Sequence, residues 1–196
     1  LGEIYQYELA AEPGSGYDAM SLHTIHEWNV RRQLMGVPGV TEVNSFGGLE
    51  KQYQVRLDPS RLQAYNLSLR NVLEAVARNN ANVGGAFIEH GAEQYLLRGV
   101  GLVQSAEDIG GVVVKTGREG APVFVRDLGE VVTGAATRQG AVTADGEGEI
   151  VAGIALMLKG ENSRTVVERV KSRVEEVKKT LPKGVKLIPF YDRSEL

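Results

Sequence analysis

The feature that most restricts the possible folds of this chain is a strand–helix–strand pattern that occurs twice, once near each end. In the first copy, alternating apolar residues predict a strand over residues 3–9. Ser21 is a suitable cap for a helix over residues 22–35, and a second strand follows over residues 41–46. The second copy has a strand over 149–158, a helix over 163–180 and a strand over 185–190.

The helix of the second copy has the clearest periodicity. Its apolar residues recur at helical spacing against a face of Glu, Lys and Arg, and they are Val166, Val167, Val170, Val174, Val177 and Leu181. This pattern predicts an amphipathic helix that packs on a sheet.

Together the two copies predict an α+β fold of the split βαβ, or ferredoxin-like, type, in which two helices cover one face of a four-stranded antiparallel sheet. The stretch between the copies is too long for a loop inside one domain. We therefore expect a discontinuous domain made of residues 1–52 and 135–196, interrupted by an inserted α+β domain over residues 53–134.

The inserted segment has its own structural patterns. A helix after Ser68 is predicted to carry Leu69, Val72, Leu73 and Val76 on one face, and a capping box begins at Ser105. An extended, glycine-broken arm is expected over residues 79–91, with a strand over 94–98. A hairpin with arms 112–115 and 122–126 is expected to turn at residues 117–120.

Composition excludes several classes of protein. A net charge of −3 leaves no positive field for nucleic acid, and the absence of cysteine excludes disulfides, thiolate zinc sites and iron–sulfur clusters. The longest apolar run, residues 150–158, is about half of what a membrane-spanning helix needs. Because the chain begins without methionine and stops just after a predicted strand, we expect a piece of a longer protein.

No motif in the sequence predicts catalysis or a bound cofactor. His23 and His26 lie at a spacing that could bind a metal, but solvated surface polarity is the favoured interpretation because no third ligand is evident. The acidic segment 145–149 is interpreted as a hairpin turn in preference to a calcium site. The glycine-rich segments lack the lysine of a phosphate-binding loop, and no nucleophile elbow is present.

Seven stretches, in a fixed order along nearly the whole chain, resemble the first large periplasmic loop of heavy-metal efflux transporters of the resistance–nodulation–division (RND) superfamily. They are LGEIY (1–5), VPGVTEV (37–43), KQYQV (51–55), RNNANVG (78–84), EQYLLR (93–98), GENSRTV (160–166) and YDRS (191–194). The block at 160–166 is more similar to the cobalt–zinc–cadmium type than to the copper–silver type.

The resemblance implies a porter subdomain, residues 1–52 and 135–196, interrupted by a docking subdomain, residues 53–134. It also implies the periplasmic portion of a bacterial inner-membrane homotrimer that exchanges protons for divalent metal cations. Such a transporter docks with a periplasmic adaptor and an outer-membrane channel.

The resemblance also assigns roles to particular residues. Glu3 is expected to lie on the transport path as a metal ligand, on the same sheet face as Tyr5 and Tyr7. An arm is expected to reach a neighbouring protomer through Val83, Gly84, Gly85, Phe87, Ile88, Glu89 and His90. A docking tip is expected to point away from the membrane, and it comprises Gly117, Arg118, Glu119 and Gly120.

Two other classes of function remain open at this point. One is a free-standing ferredoxin-like protein that binds or senses a metal or small ligand. The other, less favoured because no catalytic constellation is evident, is an enzyme.

Overall fold

A computed structural model describes residues 2–91, 93–117, 120–138, 140–146 and 148–193. Its strands are β1 (Gly2–Ala11), β2 (Val40–Gly47), β3 (Lys51–Leu57), β4 (Val83–His90), β5 (Glu93–Gly99), β6 (Val113–Thr116), β7 (Pro122–Phe124), β8 (Gly129–Ala135), β9 (Val142–Ala144), β10 (Gly148–Met157) and β11 (Val185–Asp192). Its α-helices are α1 (Ala19–Ile25), α2 (Arg31–Met35), α3 (Pro59–Ala64), α4 (Leu69–Arg78), α5 (Ala106–Gly110), α6 (Val125–Leu128) and α7 (Ser163–Thr180).

The chain divides into two units, which are described separately. The first unit comprises residues 1–51 and 135–196, and the second comprises residues 52–134.

The first unit is built on an antiparallel sheet with the strand order β11-β1-β10-β2, and β9 pairs with the start of β10. This is the order of a split βαβ fold, so the predicted fold class is confirmed. The β9–β10 turn contains Asp145 and Gly146, both with positive φ, as expected for the hairpin interpretation of the acidic segment.

The core of the first unit lies between the sheet and the helices. The sheet contributes the buried side chains of Tyr7, Leu9 and Val151, and α7 contributes a row of buried valines. The α7 helix begins after Asn162, whose side chain accepts a hydrogen bond from the Thr165 amide. The valine periodicity thus places α7 as the sequence predicts.

The helix after β1 differs from its prediction in two respects. Its N-terminal cap is Asp18, which accepts hydrogen bonds from the amide and hydroxyl of Ser21, so Ser21 is not the cap. One turn of π-helix, His26–Val30, separates α1 from α2. Such turns are inserted into helices mostly at functional positions.

The second unit has a separate core, formed by Val72, Ala75, Ile109, Val112, Val125 and Leu128. Its strands pair as β3 with β8, β4 with β5, and β6 with β7. Ser68 and Ser105 cap α4 and α5 as predicted. Of the apolar residues predicted on one face of α4, Val72 is buried and Leu69 and Leu73 are exposed, whereas Ala75 is buried.

Candidate functional site on the open face of the sheet

Among the described residues of the first unit, the helices pack on one face of the sheet, and we call the opposite face the open face. Strand register arranges its side chains in three rows that cross the strands. The first row is Glu42, Leu156 and Glu3; the second is Asn44, Ile154, Gln6 and Tyr191; the third is Phe46, Ala152, Glu8 and Ile188. The open face therefore combines three carboxylates and two amides with an apolar centre.

A β-bulge at Ile4 decides which way Glu3 points. Glu3 is opposite Leu156 and Tyr5 is opposite Ala155, so two steps of β1 match one step of β10. Ile4 and Tyr5 are both buried on the helix side. The expectation that Glu3 shares a face with Tyr5 and Tyr7 is therefore wrong, since the bulge turns Glu3 to the open face.

Glu3 is exposed, and its carboxylate accepts a hydrogen bond of 2.9 Å from the Gln6 side chain. On the open face, Glu42 lies two strands away from Glu3, which corresponds to about 10 Å between backbones. Among the described residues, no group of three or more His, Asp or Glu side chains is arranged to hold a metal ion. The open face thus offers separate oxygen ligands and no complete site.

The methionines do not form a soft-metal site with one another. Met35 ends α2 and is exposed, whereas Met157 lies in β10 and packs against the core. Met20 lies in the first turn of α1.

The predicted docking tip is only partly described. Gly117 donates a hydrogen bond of 2.8 Å to the Ala121 carbonyl, and Gly120 has a positive φ, so the segment between β6 and β7 is a turn. Arg118 and Glu119 lie outside the described residues.

The predicted arm is one strand of a hairpin, because β4 pairs with β5 in an antiparallel register. The segment is thus extended, as expected, and Val83, Gly84 and Glu89 are exposed. The side chains of Phe87, Ile88 and His90, and the surroundings of Gly85, lie outside what the structure describes.

The structure contradicts both interpretations of the histidine pair for His26, which is fully buried. Its Nε2 lies 2.8 Å from the Tyr7 hydroxyl and its Nδ1 lies 2.9 Å from the Ser45 hydroxyl. The Ser45 hydroxyl donates to the Glu27 carboxylate, which pairs with Arg31 at 3.0 Å. We call these five residues the His26 network.

The surroundings of the network shift several pKa values. Burial lowers the pKa of His26 from its ordinary value of 6.5 to about 4, although the Glu27 carboxylate acts in the opposite direction. Burial also raises the pKa of Tyr7. Burial raises the pKa of Glu27, but the Ser45 hydroxyl and Arg31 outweigh it, so the net pKa is lowered.

Sequence reasoning missed the network because its members come from three elements. Tyr7 and Ser45 each lie 19 residues from His26 in the sequence. The other histidine of the pair, His23, is hydrogen-bonded through Nδ1 to the Gly47 carbonyl at 3.1 Å. The one signal available in the sequence was Ser45, a polar residue on the inward face of β2.

No helix in the described parts of the chain has both the length and the apolar character needed to cross a bilayer.

Comparison with known proteins covers the whole chain. The sequence matches the AcrB/AcrD/AcrF family over residues 1–196. It is 46% identical over 200 residues to protein HelA of Legionella pneumophila, and 44% identical over 202 residues to the cobalt-zinc-cadmium resistance protein CzcA of Cupriavidus metallidurans. Both alignments cover 100% of this chain and 19% of the relative, so the chain spans about a fifth of their length.

A solved structure gives the same result. The crystal structure of a heavy metal efflux pump matches this chain with a TM-score of 0.84 at 38% identity, and the match covers 99% of this chain and 19% of that one. Since sequence and fold agree over the full length, this chain belongs to the AcrB/AcrD/AcrF family, as a CzcA-like member of the RND superfamily.

Proposed function

We propose that the chain is the periplasmic porter and docking part of an inner-membrane pump that exports heavy-metal cations. The observation that carries this proposal is the match over 99% of the chain to the crystal structure of a heavy metal efflux pump. The first unit supplies the porter and the second supplies the docking part. The chain serves as a transport module and has no catalytic role.

The open face is proposed as one wall of the cation path. Glu3 and Glu42 stand at either side of Leu156, and Glu8 lies in the third row. Spaced carboxylates hold a cation briefly and release it easily, which suits transport better than storage. The remaining ligands would come from the rest of the transporter, so this chain alone is expected to bind zinc weakly or not at all.

The proposed cargo is a divalent cation of the zinc, cobalt and cadmium class. Oxygen ligands suit these ions, whereas soft monovalent ions favour methionine sulfur, and the methionines lie on different elements. Similarity to a protein named for cobalt, zinc and cadmium resistance supports the same class.

The proposed assembly is a homotrimer that exchanges protons for cations and works with an adaptor and an outer-membrane channel. The β4–β5 hairpin is proposed to contact the neighbouring protomer, and the turn between β6 and β7 to face the adaptor or channel. Adding strands to a partner would pair backbone groups that an isolated hairpin leaves open.

Metal resistance tests the proposal directly. The full-length gene is deleted and then restored in its host, and growth is measured across concentrations of zinc, cobalt, cadmium and silver. We expect the deletion to lower resistance to one or more of the three divalent ions, and the restored gene to return it, with silver resistance unchanged. Unchanged resistance to all three divalent ions, or tight zinc binding by this chain alone, would contradict the proposal.

A further inference from the structure

The His26 network lies beneath the sheet, on the side opposite to the proposed cation path. In the part of the chain that the structure describes, His26 is the one polar or charged residue that is fully buried. A buried polar group costs stability unless its hydrogen bonds are satisfied, and both ring nitrogens of His26 have partners. The proposed function does not use this group.

The chemistry of the partners fixes the direction of each hydrogen bond. A serine hydroxyl has one hydrogen, and that of Ser45 is donated to the Glu27 carboxylate. The Ser45 oxygen must therefore accept from His26, so Nδ1 carries the hydrogen of the ring. In a neutral imidazole Nε2 is then an acceptor, and it receives the hydroxyl hydrogen of Tyr7.

We infer that the network has this single direction, from Tyr7 through His26 and Ser45 to Glu27, and that His26 is a positioning residue for strand β2. The carboxylate at its end is held by Arg31. Because every hydrogen is used once, a second proton on His26 would take away the acceptor of the Tyr7 hydroxyl hydrogen at Nε2. The network is therefore complete only while His26 is neutral.

Packing fixes the position of the Tyr7 ring. Its ring lies against Gly153 of β10, where an added Cβ would come within 2.2 Å of the ring. The glycine lets the tyrosine side chain lie flat on the sheet, so the position of its hydroxyl is set by packing.

Three helix side chains attach to β2 at alternate positions. Arg31 donates to the Val43 carbonyl at 2.8 Å, His26 is hydrogen-bonded to the Ser45 hydroxyl, and His23 is hydrogen-bonded to the Gly47 carbonyl. β2 is the last strand in the strand order on its side of the sheet, and it pairs with β10. These hydrogen bonds hold β2 at residues 43, 45 and 47, where an outer strand would otherwise be free to shift.

The consequence for the open face follows from strand geometry. Asn44 and Phe46 alternate with the attached residues, so they point to the open face. Fixing residues 43, 45 and 47 from one side fixes Asn44 and Phe46 on the other. The relevance of this positioning to transport rests on the proposed function of the open face.

The charged and titratable groups around the ring come from two elements. The helix contributes His23, Glu27 and Arg31, and β1 contributes Tyr7. The side of α7 that packs on the same core presents valines. Burial, His23 and Arg31 therefore lower the pKa of His26, whereas Glu27 raises it.

Nitrogen NMR of the unaltered 196-residue chain tests the direction without any mutation. We expect the His26 ring at pH 7 to have a hydrogen on Nδ1 and none on Nε2, and to stay neutral as the pH is lowered to 5. A hydrogen on Nε2 at pH 7, or titration of His26 near its ordinary pKa, would overturn the inference.

Two matched variants test the positioning role. In the same chain, Ser45→Ala removes the link, whereas Ser45→Thr keeps a hydroxyl on a residue that suits a strand. We expect Ser45→Ala to reduce hydrogen-exchange protection of the β2 amides by at least tenfold, and Ser45→Thr and a distant Ser60→Ala to leave it near the wild-type value. Equal protection in Ser45→Ala and the wild type would overturn the positioning role.

The same variants in the full-length transporter separate this inference from the proposed function. Loss of zinc resistance in Ser45→Ala with retention in Ser45→Thr, at equal expression, supports positioning of the open face. Wild-type resistance in Ser45→Ala would overturn that step. If the unaltered gene gives no metal resistance, the proposed function fails, and the NMR and exchange results alone decide the network.

Discussion

At the scale of single residues, the burial of neutral His26 makes the folded state sensitive to acid. The folded pKa is about 4 and the ordinary pKa is 6.5. Above pH 6.5 neither state binds the proton; between 6.5 and 4 only the unfolded state binds it. Stability from this group is therefore complete above pH 6.5 and falls as the pH is lowered through this window, by up to about 1.4 kcal/mol per pH unit.

Urea unfolding between pH 8 and 5 measures this dependence. His26→Gln should flatten the profile between pH 6.5 and 5, whereas His23→Gln, at the edge of the network, should keep most of the slope. A His26→Gln profile as steep as that of the wild type would show that the acid sensitivity arises elsewhere.

The proposed cation path depends most on Glu3. Glu3→Gln keeps the size of the side chain and the hydrogen bond to Gln6, but it removes the charge. In the full-length transporter we expect resistance to zinc and cobalt to fall several-fold at equal expression. Glu161→Gln, on an exposed turn before α7, is the matched control and should have no effect. Unchanged resistance in Glu3→Gln would remove this residue from the path.

A methyl group at Gly153 tests the packing of Tyr7. The added Cβ would lie 2.2 Å from the ring and force it off His26, so Gly153→Ala is expected to destabilise the chain by about 1–3 kcal/mol. At Gly140 an added Cβ would meet no heavy atom within 4 Å, and φ there is outside the left-handed region, so Gly140→Ala should change stability little. Chemical denaturation of both variants checks the difference, and equal midpoints would refute the packing argument.

At the scale of elements, the β4–β5 hairpin can be altered separately from the cores that the structure describes. Among the residues whose side chains are described, those of the second core come from other elements. Deletion of residues 85–91 should therefore leave the helical signal in circular dichroism unchanged while it weakens the trimer of the full-length transporter in detergent. A deletion variant that remains trimeric would show that the hairpin does not hold the protomers together.

The sequence predicts elements best where one periodicity decides the outcome. The valines of α7 and the caps at Ser68 and Ser105 are local signals, and they lead to the observed structure. Local signals fail where a partner from a distant strand decides. The bulge at Ile4 turns the Glu3 side chain to the opposite face of the sheet. His26 is buried because Tyr7 and Ser45 bind both of its ring nitrogens.

The same limit applies to the exposed leucines of α4. Leu69 and Leu73 fit a helical stripe with Val72, but the core of the second unit takes up Val72 and Ala75 instead. Periodicity shows that a face is apolar, whereas the position of the packed neighbours decides which part of it is covered.

At the scale of the whole molecule, the two places where the first unit is interrupted in the sequence lie side by side within that unit. The Ala136 amide donates a hydrogen bond of 2.9 Å to the Glu50 carbonyl, so the two crossings of the chain are adjacent. Replacing residues 52–134 by a short glycine–serine linker should therefore leave the first unit folded, because none of the described residues in that range belongs to its core.

Thermal unfolding and the NMR signals of His26 check this prediction. A cooperative transition with the wild-type His26 tautomer is expected from the shortened chain. A shortened chain that lacks cooperative unfolding would show that the first unit depends on the second for its stability.

The strand order also bears on how the protein avoids joining its copies into fibrils. Both outer strands of the sheet could template the growth of a continuous sheet from one molecule to the next. On one side, β11 has Pro189, which offers no amide hydrogen. On the other side, Arg31 and His23 already occupy the carbonyls of Val43 and Gly47. The attachments that position β2 thus also shield it from self-templated aggregation.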